Sequence, residues 1–157
     1  MSFQKNDKPI AGDIVRVHRK EYYYHYGIAV DENTVIHFTA LTNDIISNEK
    51  EMKILETSLE RFLLGGQLEV QLPFDSKYSR EKVVERAKRW VNCVQFRGKY
   101  YNLTTNNCEH FARYCYYGSH HSKQVVQAAA ATALLGAVAV GVAAGTVIKK
   151  AVKKVKI

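Results

Sequence analysis

Three cysteines and six histidines are the side chains of this 157-residue chain best suited to nucleophilic and acid–base chemistry. A thiol attacks well only as the thiolate, so it needs a base or a positive field beside it, and a helix N-terminus supplies part of such a field. Cys108, in Asn107-Cys108-Glu109-His110-Phe111, falls in the first turn of a segment expected to be helical. Cys93 and Cys115 fall inside or at the far end of helical segments, where burial as small apolar residues accounts for them. From position alone, Cys108 reads equally well as a reactive or a structural thiol. No Cys-x-x-Cys pair occurs, so zinc would have to be gathered by scattered residues, and no metal is expected.

The base for such a thiol need not be near it in sequence. His25 and His37 both fall in a segment that reads as a hairpin, with Asp31-Glu32-Asn33 as its loop. With a three-residue loop Val30 pairs with Thr34, His37 lies opposite Gly27, and His25 becomes the diagonal neighbour of His37 on the same face. A two-residue loop would place the two imidazoles on opposite faces, so their meeting is conditional on register. His18 reads as an ordinary strand residue, and His120 and His121 as a polar juncture. His110, two residues past Cys108 on a helix, points to another side and is assigned a structural hydrogen bond.

These side chains need elements to hold them. A polar leader over residues 1–9 precedes Asp13 to Arg19, whose alternation and branched residues predict a strand. Tyr24 to Val30 and Thr34 to Phe38 form the hairpin. Met52, Leu55, Leu59, Phe62 and Leu63 recur at helical spacing before Gly65-Gly66, which predicts a short helix, and Gln67 to Leu72 reads as another strand. Ser79 is a suitable N-cap for an amphipathic helix with Val83, Ala87, Trp90, Val91 and Val94 on one stripe. A second helix is expected from about Asn107 to Tyr117, stopped by Gly118. Strands first and helices after indicate an α+β domain with a mainly antiparallel sheet packed on helices.

The net charge of +8 suggests nucleic acid until the charges are located. All 15 acidic residues lie at or before Glu109, against 17 of the 23 Lys and Arg at or before Arg113, so residues 1–118 carry only +2. The other six lysines flank a run from Gln124 to Ile148 that contains no charged residue. That run approaches the roughly 20 residues a helix needs to cross a bilayer, although Ala, Gly and Val dominate it. Gly141 and Gly145 form a small-xxx-small helix contact motif. The expected partner is a phospholipid membrane, not nucleic acid, and the polar N-terminus does not read as a secretory signal.

Tyr24-His25-Tyr26-Gly27-Ile28-Ala29-Val30, Val35-Ile36-His37-Phe38 and Asn107-Cys108-Glu109-His110-Phe111 together resemble the lecithin:retinol acyltransferase family, especially its phospholipase A/acyltransferase (H-Ras-like suppressor) branch. The resemblance covers roughly residues 10–148, and its Asn-Cys-Glu-His-Phe block is the most specific part. It implies a circularly permuted NlpC/P60, papain-like fold, with residues 10–119 as catalytic domain and 120–157 as a membrane-anchoring hydrophobic helix with a Lys-rich end. It further implies Cys108 as nucleophile, His25 as base and His37 as third member of a Cys-His-His triad, acting on glycerophospholipids through a thioester without a cofactor. Water, an amine or a lysophospholipid would accept the acyl group, at the cytoplasmic face of an intracellular membrane. Arg19, Tyr23 and Asn107 are candidates for holding an oxyanion or a lipid head group, although Arg19 to Tyr24 runs one residue longer than the branch pattern. The competing readings are retinol esterification, a cell-wall peptidase of the NlpC/P60 type, and a non-catalytic membrane-interaction module on the same fold.

Overall fold

The computed structural model describes residues 2–6, 8–19, 23–40 and 49–118. Six strands, β1 (Ser2–Lys5), β2 (Ile14–Arg19), β3 (Tyr23–Ala29), β4 (Thr34–Ala40), β5 (Met52–Ser58) and β6 (Leu68–Leu72), form one antiparallel sheet in the order β1-β6-β2-β3-β4-β5. Among the described residues three α-helices accompany it, α1 (Leu59–Leu63), α2 (Arg80–Lys88) and α3 (Cys108–Tyr117), with a 3-10 turn at Glu49–Glu51. The α+β class with an antiparallel sheet is therefore as expected.

Alternation along the strands divides the core in two. Ile14, Tyr26, Ile28, Ile36, Phe38, Met52 and Ile54 face α2 and α3, where Phe96, Phe111 and Tyr116 complete the main cluster. Val15, Val17, Ala29, Val35, Leu68 and Val70 face the other way and close around Phe62 of α1. The hairpin register matches the three-residue loop: Val30 N–H donates to Thr34 O at 2.8 Å, and Gly27 pairs with His37.

Local chemistry sets the helix ends. Ser79 caps α2 by accepting from Lys82 N–H, and Gly118 closes α3 in the left-handed region at φ 75°. Gly12, at φ 83°, turns the chain into β2 so close to Arg80 that a Cβ would lie 2.9 Å from its backbone. The adjacent Asp13 is buried and paired with the Arg80 guanidinium at 2.7 Å.

Three expectations need correction. Met52–Ser58 is a strand, not the first half of a helix: β5 satisfies the outer edge of β4 and buries Met52 and Ile54 while Glu56 and Ser58 stay exposed, so only Leu59–Leu63 is helical. The apolar stripe from Val83 to Val94 overruns α2, which ends at Lys88; Asn92 N–H and Cys93 O instead bond to Ile54 at 2.8 and 3.0 Å and cover the sheet edge. The polar leader contains β1, whose Phe3 lies against Arg16, with the guanidinium 3.9 Å from the ring centroid. Among the described residues no helix is long and apolar enough to cross a membrane; the 124–148 run lies outside them.

Candidate active site

The site begins where two strands part. Among the described residues the β3–β4 ladder ends at the Gly27–His37 pair; before it β3 pairs only with β2, and after it β4 pairs only with β5. Backbone N–H groups alternate between the two sides of a strand. Val30 N–H bonds to β4 and Ala29 N–H to Asp13 O on the β2 side, so Tyr26 N–H points toward β4, beyond the last pair. The sulfur of Cys108 receives that N–H. The gap between the strands thus leaves a backbone donor to hold the first residue of α3.

The first turn of α3 is fixed by a capping box. Asn107 Oδ1 accepts from His110 N–H at 3.1 Å, and Asn107 N–H donates to His110 Nδ1 at 3.3 Å. The Asn107 side chain also donates from Nδ2 to Leu103 O at 2.7 Å. His110 therefore carries the structural bond assigned to it, and the Asn107 amide serves as a cap.

Besides Tyr26 N–H, the Cys108 sulfur is approached by the Glu109 backbone N–H and by the Tyr101 hydroxyl. Burial nevertheless pushes the thiol up to about 11, opposed by Tyr26 N–H and raised further by the Glu109 charge. Desolvation of the charged form outweighs the helix field. At neutral pH a thiol so placed is protonated, and nucleophilic attack by it would require a base.

Two imidazoles meet on the opposite face of the sheet from α3. His25 Nε2 lies 2.7 Å from His37 Nδ1, both rings are buried, and Phe62 packs against both. His37 Nε2 lies 2.9 Å from Thr57 Oγ1. Burial, followed by the neighbouring His25, holds His37 well below the ordinary histidine value, so this ring is neutral. The link between the imidazole pair and the thiol is β3 itself: His25 and Tyr26, whose N–H holds the sulfur, are consecutive.

The remaining candidates are placed as follows. The Arg19 guanidinium donates to Phe62 O and, at 2.9 Å, to Leu63 O, fastening the end of α1 behind the imidazoles. Tyr23 lies near the Tyr101 hydroxyl and helps raise its pKa. Tyr101 is the residue that sequence reasoning passed over, as one of several tyrosines in a linking segment. It is buried, its hydroxyl donates to the Cys108 sulfur and accepts from Cys108 N–H, and burial first and the Cys108 charge second raise its pKa well above 10. Buried Asn106 positions it, donating from Nδ2 to Phe96, Lys99 and Tyr100 carbonyls at 3.3, 2.9 and 3.0 Å. The only sequence signal was a tyrosine shortly before the Asn107-Cys108-Glu109-His110-Phe111 block, indistinguishable by type from Tyr100, which is exposed.

A model of the lecithin retinol acyltransferase family matches residues 7–121, which contain every element of this site. The chain belongs to the lecithin retinol acyltransferase family. It is 32% identical over 139 residues to mouse lecithin retinol acyltransferase, covering 73% of this chain and 57% of that protein. Human phospholipase A and acyltransferase 2 is 29% identical over 149 residues, covering 88% and 84%, and mouse phospholipase A and acyltransferase 3 is 30% identical over 148 residues, covering 87% and 86%. The chain thus spans little more than half the length of the lecithin retinol acyltransferase, and most of the length of the two phospholipase A and acyltransferases.

Proposed function

We propose that this family member is a thiol-dependent phospholipase A and acyltransferase acting on glycerophospholipids. The observation that carries the reading is the convergence on β3: Tyr26 N–H holds the Cys108 sulfur, while the preceding His25 is hydrogen-bonded to a neutral His37. His25 takes the Cys108 proton, and the sulfur attacks the carbonyl carbon of a lipid ester. The donors at the sulfur, the Glu109 N–H and the Tyr101 hydroxyl, support the resulting oxyanion. Collapse breaks the ester C–O bond, His25 returns its proton to the departing lysophospholipid oxygen, and an acyl thioester remains. Water, an amine or a lysophospholipid hydroxyl then attacks the thioester with His25 again as base, which regenerates the thiol.

The strand-first order, with the nucleophile helix after the sheet, is what a circularly permuted NlpC/P60 arrangement requires, and it belongs to this proposal. So does attachment to the cytoplasmic face of an intracellular membrane by the uncharged run at 124–148, which would concentrate the enzyme on its substrate. The similar span of the phospholipase A and acyltransferases favours them as functional guides. The identity to mouse lecithin retinol acyltransferase supports retinol as a second acyl acceptor to test.

The decisive experiment incubates the protein with phosphatidylcholine in detergent, with and without retinol, and follows intact mass and released lipids. An acyl adduct on Cys108 is expected, absent in Cys108→Ser and in His25→Gln. His110→Gln should retain most activity, because glutamine at the third helical position preserves the capping box. An adduct in Cys108→Ser, or full activity in His25→Gln, would refute these roles. Retinyl ester exceeding free fatty acid would favour the second reading.

A further inference from the structure

His25, His37 and Thr57 form a chain of hydrogen bonds whose direction can be read from its far end. Thr57 Oγ1 lies 3.3 Å from Ser58 O, a carbonyl that can only accept, which gives the single hydroxyl proton of Thr57 a partner other than His37. Toward His37 the hydroxyl is then an acceptor, and at 2.9 Å it takes the proton on Nε2. A neutral imidazole carries one proton, so His37 Nδ1 has a lone pair and must accept from its neighbour at 2.7 Å, the Nε2–H of His25. In neutral His25 the remaining lone pair is on Nδ1, the ring nitrogen next to its own stem on β3, the strand whose following N–H, from Tyr26, holds the Cys108 sulfur.

We infer that Thr57 on β5 is a positioning residue that fixes the tautomers of His37 and His25, so that the proton-accepting atom of the base is His25 Nδ1. This rests on His25 acting as base for Cys108 and adds a fourth side chain behind it. The proton from Cys108 moves to His25 Nδ1, giving an imidazolium whose Nε2–H is already held by His37; no proton needs to pass to His37 or Thr57. Neutrality of His37, imposed chiefly by its burial, keeps an acceptor in the chain. If Thr57 were a donor to His37 Nε2, every bond would reverse and His25 Nδ1 would carry the proton it is required to accept. Orienting contacts of this kind typically affect activity by about 10- to 100-fold when removed.

The test compares wild type, Thr57→Val and Thr57→Ser in the full chain, using the acylation rate on phosphatidylcholine in detergent and the ring-nitrogen shifts of 15N-histidine-labelled protein. Wild type should show His25 and His37 both as Nε2–H tautomers. Thr57→Val should acylate about 10- to 100-fold more slowly and show Nδ1–H tautomers in the pair, while Thr57→Ser restores both rate and tautomers. An Nδ1–H tautomer of His37 in wild type would overturn the inference, as would Thr57→Val with unchanged rate and spectra, or a slow Thr57→Val that keeps its Nε2–H tautomers. These outcomes bear on Thr57 and on which atom of His25 accepts the proton, whereas the Cys108 and His25 assignments fall only if their own variants remain active.

Discussion

The imidazole of His37 is buried and, with His25 beside it, titrates well below the ordinary histidine range. The same perturbation that keeps it an acceptor for His25 links stability to pH. In the unfolded chain a histidine titrates near about 6.5. Between that value and the lower folded pKa, the unfolded chain binds a proton that the native state does not. Stability is therefore fully present above about pH 6.5 and declines as pH falls toward the folded pKa. Urea titrations should show the unfolding midpoint dropping below pH 6.5, with a shallower drop in His37→Gln; parallel pH profiles would remove His37 as the cause. At Cys108 the perturbation runs the other way, since burial raises the thiol.

At the level of elements, the site depends on how β3 and β4 separate and on what fills the space behind the imidazoles. Gly27 stands opposite His37, and a Cβ there would meet Val35 Cγ1 at 2.5 Å and Phe62 Cε2 at 3.2 Å. The missing side chain is the room that Phe62 uses to pack against both histidines. Gly27→Ala should thus cost about 1–3 kcal/mol, as overpacking of a filled core does, and lower activity by displacing Phe62. Chemical denaturation alongside acylation kinetics would check this; unchanged stability would mean that the Val35 rotamer absorbs the methyl. The hairpin was legible beforehand, with its register conditional on loop length, and the Val30–Thr34 bond supplies the three-residue loop that the condition required. The β5 strand was not, because Met52, Leu55 and Leu59 fit helical spacing as well as Met52 and Ile54 fit alternation, and only pairing with β4 decides between them.

At the scale of the whole molecule, the described residues of both core clusters lie between Ile14 and Tyr116, within the span matched by the family model and within the compact unit Met1–Ser122. A chain ending at Ser122 should accordingly keep its unfolding midpoint and its activity on dispersed short-chain phospholipid. On vesicles it should lose activity by about 100-fold or more, the scale on which tethering raises effective concentration. Equal rates on vesicles for the truncated and full chains would show that the uncharged run does not bring the enzyme to its substrate.

Sequence by itself determined the strand-before-helix order, the first-turn position of Cys108 and the Gly118 stop, since each follows from local periodicity or a cap, and it joined His25 to His37 on the condition of a three-residue loop. Tertiary structure alone decided that Tyr26 N–H receives the sulfur, that Tyr101 and not Tyr100 reaches it, and that Thr57 ends the imidazole chain. Tyr26 with Cys108 and His37 with Thr57 join separate segments of the chain, and Tyr101 reaches Cys108 across an irregular link; these contacts exist because β3 and β4 part and because burial fixes which polar group meets which, and neither leaves a repeating pattern in the residues.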